Sequence, residues 1–324
     1  MNRLCSIASL AALALAAPLS AQEADKPEYP SPGEIVKQAT PEEWLAIAPS
    51  DLLVMDLAPD AAGEARRVII QLMPEPFSQG WIRNIRKLAA AHWWDGTSIN
   101  RVQDNYVVQW GDASEKKALP EGLETVPESE YVTPIADDMV INGMATHIIS
   151  QASNDKYFPS NGKDPYTNET SFMTGWPFGF ADNGVSPVHC YAAVGVGRNL
   201  SPDTGSGAEL YTVIGHAPRH LDRNIAVVGR VIEGIEHLSS LPRGKGDLGF
   251  YEDEGKRVPI SSIRLASALP TADQPRFEYL NTDGDTFAKY ADARANRRDP
   301  FFNLPAGGAD ICNIPVPVRR VKAE

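Results

Sequence analysis

Ser98-Ile99-Asn100-Arg101-Val102-Gln103-Asp104-Asn105-Tyr106-Val107-Val108-Gln109-Trp110-Gly111-Asp112 is the most informative stretch of the chain. It follows a turn at Asp95-Gly96, and Ile99 to Trp110 is strand-like. On its N-terminal side, Phe77, Trp81, Ile85, Leu88 and Ala89 recur at helical spacing, with Arg83, Arg86 and Lys87 on other faces. That pattern predicts an amphipathic helix over Pro76 to His92. Further out, Leu52 to Leu57 and Arg67 to Leu72 read as strands. The turn between them, Ala58 to Ala65, contains Pro59, Asp60 and Gly63, so the two strands form a hairpin. Residues 22–49 form an N-terminal extension, mostly an extended arm. Thr40 as a cap and Pro41 in the first turn predict a short helix from Pro41 to Ala48.

On the C-terminal side, residues 113–185 are rich in Gly, Pro, Ser and Asn and show little periodicity. They are too long for an ordinary loop and read as an insertion. Val188 to Val196, Glu209 to Gly215, Ala226 to Val231 and Ile260 to Ala266 are strand-like, and Ile232 to Leu241 looks helical. The C-terminal extension, residues 269–324, is mostly polar, with a helix-forming stretch from Thr286 to Arg298. Short strands dominate residues 50–268, which makes the fold class mainly β. Periodicity does not choose between a barrel and a sandwich.

The chain has 324 residues, 43% of them apolar, which suffices for a large core. Lys plus Arg is 30 and Asp plus Glu is 42, so the net charge is 30 − 42 = −12. Such a chain is a poor partner for nucleic acid or an anionic membrane. Residues 1–21 have the pattern of a secretory signal: Arg3, an apolar run from Leu4 to Ala17, then Pro18-Leu19-Ser20-Ala21 as a cleavage region. The mature protein is expected to be exported, to a periplasm or beyond. Two cysteines then remain, Cys190 and Cys312. An oxidising compartment permits a bridge between them, and two buried thiols are the alternative.

The stretch 98–112 resembles the signature segment of cyclophilin-type peptidyl-prolyl isomerases. Arg101, Tyr106, Gln109, Gly111 and Asp112 fall at the family's spacings. Ala208-Glu209-Leu210-Tyr211 is similar to its Ser-Gln-Phe-Phe, and Leu221-Asp222 with Val227-Val228-Gly229-Arg230-Val231 is similar to later segments. The resemblance covers residues 50–268, less the insertion. It implies a closed eight-stranded antiparallel β-barrel capped by two helices, with no metal and no cofactor. It also implies cis/trans rotation of the bond before proline in exported polypeptides.

Carried over residue by residue, the resemblance makes Arg101 and Gln109 catalytic. Tyr106, Val107, Glu209, Tyr211, Leu221 and His220 become the residues that bind substrate. Rotation must break the C–N resonance of the amide, a barrier of about 18–20 kcal/mol. No bond is made or cut, so a donor that favours the twisted amide is the requirement. Arg101 can donate to the proline nitrogen as it pyramidalises, and its charge persists near neutral pH.

The chain departs from the family pattern in several places. Asn100 stands for His, Tyr106 for Phe, Val107 for Met and Glu209 for Gln. His220 and Ile225 stand where relatives carry Trp and His. Glu209 places an acid near the groove, where pairing with Arg101 is one expectation. These changes support a second reading, a peptide-binding or chaperone module with weak or no isomerase activity. A third, an unrelated exported β-rich enzyme, lacks any nucleophile or paired-carboxylate pattern. His216 and His220 have a metal-like spacing, but Pro218 between them argues for a loop. The sequence sets no oligomeric state.

Overall fold

The computed structural model describes residues 29–134 and 164–321. The expected signal segment and the middle of the insertion lie outside these residues. Eight strands close into an antiparallel barrel: β2 (Leu52–Leu57), β3 (Arg66–Leu72), β4 (Ser98–Val102), β5 (Val107–Gly111), β9 (Ala193–Val196), β10 (Leu210–Val213), β11 (Val227–Glu233) and β12 (Val258–Leu265). Their order around the barrel is β10-β5-β4-β12-β2-β3-β11-β9. The eight-stranded expectation therefore holds, and closure removes the exposed edges that a sandwich would leave.

The barrel core contains Met55, Ile70, Ile99, Val108 and Trp110 from the strands. The expected amphipathic helix is α2 (Gln79–Ala90), and it buries Trp81, Ile85 and Leu88 in the same core. Each such side chain contributes about 1.5–3 kcal/mol when fully buried. The two indole N–H groups find carbonyls: Trp81 donates to Thr204 O at 3.0 Å and Trp94 to Ala208 O at 2.8 Å. These two indoles are thus paired where the helix meets the barrel, whereas the Trp110 indole N–H in the same core has no partner among the described residues.

Four local expectations are corrected. The helix over Pro41–Ala48 is only a 3-10 turn, Pro41–Glu43, with its capping box formed; Trp44–Ile47 is strand β1. Its partner is β13 (Phe277–Leu280), with Trp44 opposite Leu280, so sheet pairing overrides the local cap signal. Over Ile232–Leu241, the first two residues belong to β11 and Gly234 turns the chain at φ 83°, leaving one helical turn, α3 (Glu236–Ser239). The single strand-like stretch Val188–Val196 begins its strand only at Ala193. The end of the insertion is structured: β6 (Glu169–Met173), β7 (Trp176–Ala181) and β8 (Gly184–Pro187) form an antiparallel meander.

The C-terminal extension also folds. Helix α4 (Asp285–Ala295) begins one residue before the expected stretch, ends three before its end, and packs on α1 (Pro32–Lys37). Strand β14 (Val318–Arg320) completes a three-stranded sheet in the order β1-β13-β14. A second core joins both extensions to the meander through Ile35, Trp44, Phe172, Leu280, Phe287 and Ile314. Cys190 and Cys312 are bonded, with their Cα atoms 5.0 Å apart, so the bridge ties the tail to the segment entering β9.

Candidate active site

Strands β4 and β5 place Arg101 directly opposite Gln109, and β5 and β10 place Gln109 opposite Tyr211. Directly opposed residues of antiparallel strands point to the same face. Val102, Val108, Trp110 and Leu210 alternate with these residues and fill the core, so the row Arg101–Gln109–Tyr211 lies on the barrel's outer face. The fourth member of the row, on β9, is Gly195 opposite Tyr211. A Cβ there would stand 2.3 Å from the Tyr211 ring, so the missing side chain is what lets the ring lie across the strand.

Arg101 is half-buried and bonded at each nitrogen. Nε donates to Leu248 O at 2.7 Å, Nη1 donates to Gln109 Oε1 at 3.1 Å, and Nη2 donates to Gln103 Oε1. Its guanidinium also lies 5.8 Å from the Tyr106 ring centre and 5.5 Å from that of Phe250. Every one of these acceptors is neutral. Burial pulls the guanidinium below its ordinary pKa, with nearby Tyr106 and Tyr211 opposing. A cation held by neutral acceptors keeps its field available to a ligand.

The expected Arg101–Glu209 ion pair is not formed. Glu209 instead sits opposite Gly111, where its Oε1 accepts from Asp112 N–H at 2.7 Å. The carboxylate fills the space that a Cβ on residue 111 would need, at 1.9 Å, so glycine is required there. Burial pushes the Glu209 carboxyl up to about 7, against bonds from Asp112 N–H and the Gln109 and Asn100 side chains. Gln109 is therefore fixed from both ends. Its oxygen accepts from Arg101, which turns its amide nitrogen toward Glu209.

The residues expected to hold proline gather beside this row. Tyr106, at the end of the β4–β5 hairpin, stacks on His220 with ring centres 6.3 Å apart and planes 12° apart. Val107 is buried on the same face, and Leu221 is half-buried against the core. Tyr211 is 5% exposed, and its hydroxyl meets His189 Nε2 at 2.9 Å.

Behind Tyr211 runs a chain of buried polar groups. His189 Nδ1 lies 2.9 Å from Asp222 Oδ1, Arg219 Nε donates to Asp222 Oδ2 at 2.5 Å, and the two Arg219 Nη groups donate to both Asp164 oxygens. The carboxylate can only accept, which puts a proton on Nδ1 and fixes the ring that Tyr211 rests against. Sequence reasoning missed His189, along with Gln103, Leu248 and Phe250. None belongs to a spaced motif. The 244–251 loop reaches Arg101 only through the barrel closure that pairs β4 with β12.

Comparisons with known proteins bear on the family and the fold. The family model for cyclophilin type peptidyl-prolyl cis-trans isomerase/CLD matches residues 62–267. Strand β2, which completes the barrel, precedes that match. A search of curated proteins gave no match. Among solved structures, cyclophilin AquaCyp293 from Hirschia baltica is 20% identical with a TM-score of 0.63, and the match covers 89% of this chain and 99% of that one. A cyclophilin type peptidyl-prolyl cis-trans isomerase from Cryptosporidium parvum, solved in the presence of the dipeptide Ala-Pro, is 10% identical with a TM-score of 0.36, covering 65% and 98%.

Proposed function

Because the chain belongs to the family of cyclophilin-type peptidyl-prolyl cis-trans isomerases, we propose that the Arg101–Gln109–Tyr211 row turns X-Pro bonds of exported polypeptides. An uncatalysed X-Pro bond takes tens to hundreds of seconds to rotate. As the amide twists, its nitrogen loses conjugation and regains a lone pair. Arg101 donates an N–H to that lone pair, an interaction absent from the planar state, so it lowers the barrier. Gln109 has a second amide hydrogen for a substrate carbonyl, and its contact forms in planar and twisted states alike. The recess of Tyr106, Val107, Leu221 and His220, backed by Tyr211, grips the proline ring. Glu209 acts through Gln109, as a positioning residue.

The observation that carries this reading is the cross-strand pairing of Arg101 with Gln109, with every acceptor around the guanidinium neutral. Export is supported by the apolar N-terminal run and by the Cys190–Cys312 bridge, which suits an oxidising compartment. The three bonds already made by Arg101 favour the second reading to one degree: a guanidinium held this firmly can bind proline peptides without assisting rotation.

The isomerisation rate of a short X-Pro peptide separates the two. Catalysis by the wild-type chain that is lost in a folded Arg101→Ala variant supports the proposal. Peptide binding without rate enhancement establishes the chaperone reading.

A further inference from the structure

A cavity of about 380 Å³ opens on the other side of the barrel, between β9, β11, the β6–β7 turn and the C-terminal segment. No groove residue lines it. Its walls are apolar, with Trp176, Val231, Ile314 and Pro315 among them. Among the described residues its charged lining is Arg230 and Arg294, with no Asp or Glu, although the chain has 42 acidic residues against 30 basic ones.

Neither arginine bonds to a carboxylate among the described residues. Arg230 Nε and Nη2 donate to Gln71 Oε1, and Nη1 donates to Gly175 O at 2.8 Å. The more exposed Arg294 uses Nε and Nη2 on Asn313 O. A guanidinium has five N–H donors, so these bonds leave two on Arg230 and three on Arg294. Two cations beside an apolar cavity with no counter-charge is an unfavourable arrangement. Burial accordingly lowers the Arg230 guanidinium to about 10. An anion carrying an apolar tail would satisfy both the charge and the walls.

We propose that this cavity is a binding site for a small amphipathic carboxylate, its alkyl chain against Trp176, Val231 and Ile314 and its carboxylate on the spare donors of Arg230, with Arg294 adding charge at the mouth. The site is separate from the isomerase groove and stands whether or not the groove is active.

The test is titration of octanoate and of octan-1-ol into the oxidised full chain, followed by calorimetry. Octanoate should saturate at one site and bind about tenfold or more tightly than the uncharged alcohol, because only the anion receives charge-assisted bonds. Arg230 also anchors the β6–β7 turn, so Arg230→Gln can unfold the region for structural reasons. Arg294→Gln is the decisive variant. It should weaken octanoate several-fold and leave octan-1-ol unchanged, in a chain that still unfolds cooperatively despite losing the two bonds to Asn313 O. An excess of X-Pro peptide should not displace octanoate. No saturable octanoate binding, equal affinity for acid and alcohol, an Arg294→Gln chain that binds octanoate as the wild type does, or displacement by the peptide would each overturn the proposal.

Discussion

Two barrel-wall arginines, Arg101 on β4 and Arg230 on β11, sit in nearly the same chemical cradle with opposite consequences. Each donates to a backbone carbonyl and a glutamine side chain, and each lies over an aromatic ring: Phe250 and Tyr106 for Arg101, Trp176 for Arg230 at 4.3 Å. Neither has a carboxylate partner among the described residues. What differs is what lies above them. The wall bearing Arg230 is covered by the meander and the terminal sheet, locked by Cys190–Cys312. Among the described residues, the wall bearing Arg101 has the 244–251 loop beside it, and the His220–Leu221 turn stands next to Tyr106. An uncompensated cation on a barrel wall thus serves either as an anchor for added chain or as a working group, and the additions decide which.

The comparison breaks first at Arg101. Replacing it by alanine should slow X-Pro rotation by about 10²–10³-fold, the usual loss for a donor aimed at the transition state. Circular dichroism should remain native. Arg101→Lys should recover little, because it keeps the charge without the planar fork that spans Leu248 O, Gln109 and Gln103. A folded Arg101→Ala chain that works at the wild-type rate would refute the assignment.

The covered wall should answer in stability instead. The Cys190–Cys312 bridge closes a loop of 122 residues. Removing it as Cys190→Ser with Cys312→Ser should cost about 2–4 kcal/mol by denaturant titration, mostly through the unfolded chain. Turnover per folded molecule should stay within about twofold, since Arg101 and Gln109 lie on β4 and β5 and the bridge touches the row through His189, next to Cys190, which backs Tyr211. A large loss of activity in the folded double variant would show that the two walls are coupled.

Arg230→Met keeps the volume and removes the donors. It strands Gln71 Oε1 and Gly175 O, and each buried acceptor left unpaired costs about 1–3 kcal/mol. The expected loss is about 2–3 kcal/mol, with the meander most affected. Hydrogen exchange should show it as faster exchange at residues 169–187. Uniform protection there would mean that Arg230 does not anchor the meander.

The open wall was far more legible in the sequence than the covered one. Arg101 and Gln109 lie eight residues apart on one hairpin, so a local pattern places both, and Leu52–Leu57 and the helix after the hairpin follow from a short apolar run bounded by turn residues and from helical spacing. The covered wall is built from distant pieces. Strands Phe277–Leu280 and Val318–Arg320 have four and three residues, too few to show a period, and Phe277 meets Ile47 from the far end of the chain. The cap signal at Thr40-Pro41 is real, but β13 captures the next four residues as a strand. His189 carries no motif. Its role arises from Asp222 and Tyr211, 33 and 22 positions away.

The open wall also carries a pH dependence at Glu209, the acid that stands where the family usually carries glutamine. Burial raises its carboxyl from 4.5 to about 7 in the folded chain. The sign follows from linkage. The folded state holds the proton more tightly than the unfolded one, so the neutral acid's contribution is complete below about pH 4.5 and is lost as pH rises through about 7. Asp112 beside it does not titrate in this window. Burial alone would raise Asp112, but hydrogen bonds from Lys117 and Lys116 N–H and from Ser114 hold it at about 2. Glu209→Gln keeps an acceptor for Asp112 N–H and removes the titration. The variant should therefore gain on the wild type as pH rises from 5 to 8, by about 2–3 kcal/mol in unfolding free energy. Thermal unfolding of both chains across that range measures the difference. A gap that stays constant with pH would show that Glu209 is ionised throughout, and that Gln109 is oriented by a carboxylate at every pH the groove works in.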